Sequence, residues 1–201
     1  MVRALVLSAV GAVLIAPASV SAAIHVFKTG LQGSEEVPPN ASPGIGSARV
    51  IFDDVSNRMR VEASFSGLTG MTTAAHIHCC APRGSNAGVA TPVPSFPGFP
   101  LGVTSGSYNQ LFDLNLASSF NPSFVTNNGG TVASARAVFL TGLFAGNTYF
   151  NIHTSAFPGG EIRGNLFHAE VPEPASWMLM IAGFGLAGAF VRRGSARRAT
   201  A

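Results

Sequence analysis

His76-Ile77-His78 is followed directly by Cys79-Cys80, and a third histidine stands in Asn151-Ile152-His153-Thr154. Along a β-strand successive side chains point to opposite faces, so His76, His78 and Cys80 share one face while Ile77 and Cys79 share the other. The same alternation turns Phe150 and Ile152 toward a core and leaves Asn151 and His153 on the opposite side. If the two strands pair, three imidazoles converge with Cys80 beside them. That donor set suits zinc or copper with an open coordination position. The competing reading is that the histidines make structural hydrogen bonds on a sheet face, since no fourth ligand is evident from the residue pattern.

An internal echo brings the two segments together. Gly67-Leu68, Thr73 and Ile77-His78 recur in the same order and spacing as Gly142-Leu143, Thr148 and Ile152-His153. The echo predicts equivalent places for His78 and His153.

Cys79 and Cys80 are the only cysteines. In an oxidising compartment they can form a vicinal disulfide, stay as thiols or bridge to another molecule. Glu161 and Arg163, alternating with Ile162, read as an ion pair or hydrogen-bond anchor between strands. Gly-x-Ser-x-Gly, a phosphate-binding glycine loop and His-Glu-x-x-His are all missing, and adjacent strand residues do not place a Cys-His pair for nucleophilic attack. Nothing in the sequence calls for an enzyme.

The elements that must position these residues read as β. Runs rich in Val, Ile, Phe and Thr alternate with Gly, Pro, Asn and Ser, predicting an all-β antiparallel sandwich or barrel. The expected strands are 24–31, 47–53, 59–65, 74–79, 108–115, 148–153 and 161–167, with a hairpin turn from Asp53 to Asn57. Apolar residues at helical spacing over 134–143, with Gly142 near the end, predict one short helix. Between Pro82 and Gly106 runs a long Pro/Gly/Ser segment, either functional or a cover over a sheet edge.

Both ends of the chain read as addresses. Arg3, an apolar stretch from Ala4 to Ala16, Pro17 and the small residues to Ala23 predict a signal peptide over 1–23. At the other end Pro172-Glu173-Pro174 precedes an uncharged apolar run, 175–191, long enough for a short transmembrane helix, and then Arg192, Arg193, Arg197 and Arg198. Between them, residues 24–168 form the expected domain. Seven basic residues (Lys28, Arg49, Arg58, Arg60, Arg83, Arg136, Arg163) face eight acidic ones (Glu35, Glu36, Asp53, Asp54, Glu62, Asp113, Glu161, Glu170) over 24–170. The exported part is near neutral, and no basic stripe argues for nucleic-acid binding.

Residues 169–201 resemble the PEP-CTERM sorting signal of exported bacterial proteins. That resemblance implies anchoring in the inner membrane through the C-terminal helix and processing by an exosortase-type enzyme. It also implies a final place in the periplasm, on the cell surface or outside, and a link to exopolysaccharide, biofilm or other matrix components. Leu31-Gln32-Gly33-Ser34-Glu35-Glu36-Val37-Pro38-Pro39, Ala75-His76-Ile77-His78, and Asn151 to Thr154 with Phe157 to Gly164 are similar to the CHRD domain, which implies an immunoglobulin-like β-sandwich without an established activity. The first expectation is therefore an exported structural or binding module. The alternative is a copper- or zinc-binding protein using His76, His78 and His153, with Cys80 nearby.

Overall fold

The computed structural model describes residues 23–169 and, beyond them, only 181, 183 and 184. The expected signal peptide, the Pro172-Glu173-Pro174 motif and nearly all of the apolar run 175–191 lie outside the described residues. Among the described residues no helix is long and apolar enough to cross a membrane.

Eight strands form one curled antiparallel sheet. They are β1 (Ile24–Gln32), β2 (Ile45–Asp53), β3 (Arg58–Ser66), β4 (Thr72–Cys79), β5 (Gly106–Asp113), β6 (Thr148–Thr154), β7 (Ile162–Asn165) and β8 (Phe167–Ala169). The hydrogen-bonded order is β4-β6-β7-β1-β2-β3-β5, with β8 laid on β1. The last expected strand, 161–167, is broken in two. Leu166 is buried between β7 and β8 and its N–H donates to Thr148 O, so the chain changes partner from β6 to β1 there.

Alternation decides the inner face. On β3, Met59, Val61, Ala63 and Phe65 are buried while Arg58, Arg60, Ser64 and Ser66 are exposed. The β2–β3 turn forms because the Asp53 carboxylate accepts from the N–H groups of Val55 and Ser56, and Asn57 takes the left-handed conformation (φ 54°) that asparagine tolerates.

Within residues 23–169 there are two α-helices where one short helix was expected. The longer, α2 (Val132–Phe144), starts at a Thr131–Ser134 capping box and buries Ala135, Phe139 and Leu143. The additional helix, α1 (Pro122–Asn127), is capped by Asn121 and has proline in its first turn.

The Pro-rich segment between β4 and β5 is part of the core. Its Phe96 ring lies 5.8 Å from Phe150 on β6 and 5.4 Å from Phe112 on β5, joining the two ends of the curled sheet. Its backbone also runs beside β4: Cys79 N–H donates to Gly88 O, Ala90 N–H to Ile77 O, and Phe96 N–H to Ala75 O. β4 is an end strand of the path, and this segment covers its free edge. Replacing Phe96 by alanine is expected to lower unfolding stability by about 3–5 kcal/mol in urea denaturation with an unchanged m-value.

Candidate functional site

β4 and β6 pair so that Ala74 faces His153, His76 faces Asn151 and His78 faces Tyr149. All six share one face. The residues between them, Ala75, Ile77, Phe150 and Ile152, are fully buried on the other. Exchanging the two strands by a local two-fold rotation carries the pair Ala74–His153 onto Tyr149–His78, with His76–Asn151 at the centre. The constant offset between the two echoing segments of sequence is this rotation.

The three imidazoles meet. Ring centroids of His76 and His153 are 5.3 Å apart, those of His76 and His78 5.8 Å, and those of His78 and His153 5.9 Å. One nitrogen from each ring lies within 4.8 Å of the other two. One nitrogen of each ring is held by the backbone: His76 Nε2 by Pro94 O at 2.7 Å, His78 Nδ1 by Ala87 O at 2.9 Å and His153 Nδ1 by Pro158 O at 2.9 Å. A carbonyl oxygen can only accept, so each of these ring nitrogens carries the proton. The remaining nitrogens, His76 Nδ1, His78 Nε2 and His153 Nε2, are therefore bare lone pairs, buried and without a hydrogen-bond partner.

Charge follows the same logic. Burial pushes the pKa of His76 down to about 4; the bond to Pro94 O opposes this more weakly, and His153 adds to the fall. Burial likewise takes His78 to about 4, opposed by Ala87 O and aided by His153, His76 and Arg163. His153 is lowered too, chiefly by burial. The trio is held neutral at ordinary pH.

A second polar row lies beside it. The Tyr149 ring stacks on His78 at 4.6 Å and 7°. The Arg163 guanidinium sits 3.8 Å above Tyr149. Arg163 and His78 must take opposite faces of that ring, since β6 lies between β4 and β7. Arg163 is 1% exposed and donates to Asn86 Oδ1 and Ser85 O, while Ala87 O accepts from both His78 and Tyr149. Asn151 donates to Glu36, whose carboxyl is raised to about 7 by burial against the opposing pull of Arg163 and Asn151. Gly160 (φ 134°) closes the row; a Cβ there would meet Asn151 at 2.6 Å and Glu36 at 2.7 Å.

Other expected site residues fall elsewhere. Cys80 is not with the histidines. β4 ends at Cys79, so strand alternation does not reach Cys80. Its sulfur contacts Val138 O, and both cysteine sulfurs, in mutual contact, lie against Gly142 of α2. Glu161 and Arg163 do not pair with each other. Glu161 instead accepts from Ser42, Thr154 and the N–H groups of Thr69 and Gly70. Burial raises its pKa, but these donors more than offset that and hold it below the usual carboxylate range. Tyr149 and Asn151 were not picked out as site partners, although residue parity along 149, 151 and 153 places them on the histidine face. The carbonyls of Ala87, Pro94 and Pro158 carry no residue signature at all.

The CHRD domain family matches residues 27–166, and the PEP-CTERM protein-sorting motif matches residues 170–198. No curated protein and no solved structure shows a match.

The hydrogen-bond pattern fixes the tautomers expected in ¹⁵N NMR of the metal-free chain: Nε2–H for His76, and Nδ1–H for His78 and His153. The signals of His76 and His78 should stay those of neutral rings until the pH approaches about 4. Because these two folded pKa values lie below the unfolded one, the rings contribute stability that is complete above pH 6.5 and lost as pH falls toward 4. Glu36, raised, titrates in the opposite sense between 4.5 and about 7 and offsets part of that loss.

Proposed function

The chain belongs to the CHRD domain family, and from that premise we propose that it is an exported envelope protein whose domain holds one copper or zinc ion on His76, His78 and His153. The PEP-CTERM motif marks export across the membrane toward the envelope and processing by an exosortase. One observation carries the metal reading. Three imidazoles each bring one nitrogen to within 4.8 Å of the others, each keeps one buried nitrogen without a hydrogen-bond partner, and each is backed by a carbonyl through its other nitrogen. A metal-binding histidine needs such backing, because donation of the far N–H fixes the ring and leaves the near nitrogen bare.

The spacing fits an ion with little adjustment. Three nitrogens about 2.0–2.1 Å from one ion stand roughly 3.5 Å apart in a trigonal arrangement. Closing from the 4.8 Å limit requires about 1 Å of movement, within small side-chain rotations. The neutral state of the rings leaves no proton to displace at neutral pH. Retention on exopolysaccharide or other matrix, the role that the sorting signal suggests, concerns where the domain resides. The histidines concern what it carries there, and matrix retention without metal would separate the two.

Elemental analysis of the exported chain, recovered from the envelope without a histidine tag, should find about one copper or zinc per chain. His78→Ala and His153→Ala should each weaken binding at least about 100-fold while the sheet stays folded by circular dichroism. A folded chain that takes up neither ion after challenge with both would overturn the reading.

A further inference from the structure

Resting on that reading, we infer that the trio selects a monovalent soft ion, copper(I), over copper(II) and zinc(II), and that Arg163 is the residue that sets this preference. The ligands supply no negative charge. All three are neutral imidazoles, and among the described residues no carboxylate joins them. Their free nitrogens are sealed from water. In such a place the self-energy of an ion grows with the square of its charge, so a divalent ion meets a far larger desolvation penalty than a monovalent one.

A fixed cation adds to this. Arg163 is buried, held by Asn86 and Ser85, and separated from His78 only by the Tyr149 ring. Its guanidinium lies 3.8 Å from the centre of the Tyr149 ring, which in turn lies 4.6 Å from that of His78. The acid in the same row, Glu36, is bonded to Asn151 and faces Arg163. Glu161 is occupied by its four donors. None of these groups ligates the site, so none supplies the negative charge that a divalent ion would call for.

Coordination number points the same way. Three imidazoles complete the shell of copper(I), which is satisfied by two or three nitrogen donors. Zinc(II) would need a water as its fourth ligand and copper(II) a four-donor tetragonal set, in a place where the free nitrogens are buried.

The test is a pair of competition titrations on the full chain: copper(I) under anaerobic ascorbate against bicinchoninate, and zinc(II) or copper(II) against a chromophoric chelator. The expected result is one copper ion, silent in electron paramagnetic resonance, that an excess of zinc does not displace. Arg163→Met keeps the aliphatic stem over Tyr149 but removes the charge. It should narrow the preference for copper(I) by about thirtyfold, the weight of one unit charge about 8 Å away at an effective dielectric near 20, and Arg163→Lys should preserve it. If Arg163→Met does not fold, the ranking of ions in the unaltered chain still decides. Zinc(II) or copper(II) held as tightly as copper(I), and lost in His78→Ala, would overturn the selectivity while leaving the histidine site standing. Failure to hold any of the three ions would overturn both.

Discussion

A backbone carbonyl accepts hydrogen bonds and never donates them, and the state of the whole histidine face depends on that asymmetry. Pro94, Ala87 and Pro158 each offer a carbonyl to one imidazole, so each ring is protonated at the far nitrogen and bare at the near one. Had a hydroxyl or carboxamide stood in any of these places, the tautomer could have gone either way. The carbonyls are themselves fixed. Pro94 lies two residues before Phe96, which is locked between β5 and β6, and Ala87 is held through its N–H by Tyr149. Aromatic packing in the core thus reaches His76 and His78 through a single stretch of Pro-rich chain.

The same stretch resolves a problem of topology. An end strand leaves N–H and C=O groups unpaired on its free side. For β4 those groups are met by Gly88, Ala90 and Phe96, so the covering segment also orients the rings of His76 and His78. The histidine face is consequently a second buried layer, closed over by Ser85, Asn86 and Ala87, and not a solvated outer surface. A buried layer that holds Arg163, Glu36, Asn151 and three imidazoles is expensive to desolvate, and each of the six has a hydrogen-bond partner while keeping one buried polar atom without one.

How much of this could be read in the sequence depends on whether a feature is local. Strand alternation is local, and it placed His76, His78 and His153 on one side of their strands. The repeated spacing, a comparison within the chain, anticipated the equivalence of His78 and His153. Cys80 was misplaced because alternation was carried one residue past the end of β4. The α1 helix carried ordinary signals, Asn121 as cap and Pro122 in the first turn, but so short a helix gives too little periodicity to stand out. The Arg163–Tyr149–His78 stack was out of reach. It joins three strands through pairing that no single segment encodes, and the three carbonyls belong to residues whose side chains take no part.

The energetics of the bare nitrogens weigh against a purely structural role. A buried polar atom without a partner costs about 1–3 kcal/mol, and here three of them sit together. Sheet-face histidines kept for packing would be cheaper as apolar residues, and those kept for hydrogen bonding would use both nitrogens. These use one nitrogen each and leave the other buried without a partner. Such a cluster raises the energy of the metal-free fold and lowers the energy of any state in which one ion meets all three lone pairs. Ion binding would then stabilise the native state in proportion to the logarithm of ion concentration over the dissociation constant. A domain whose site has this form would become more stable on capturing the ion.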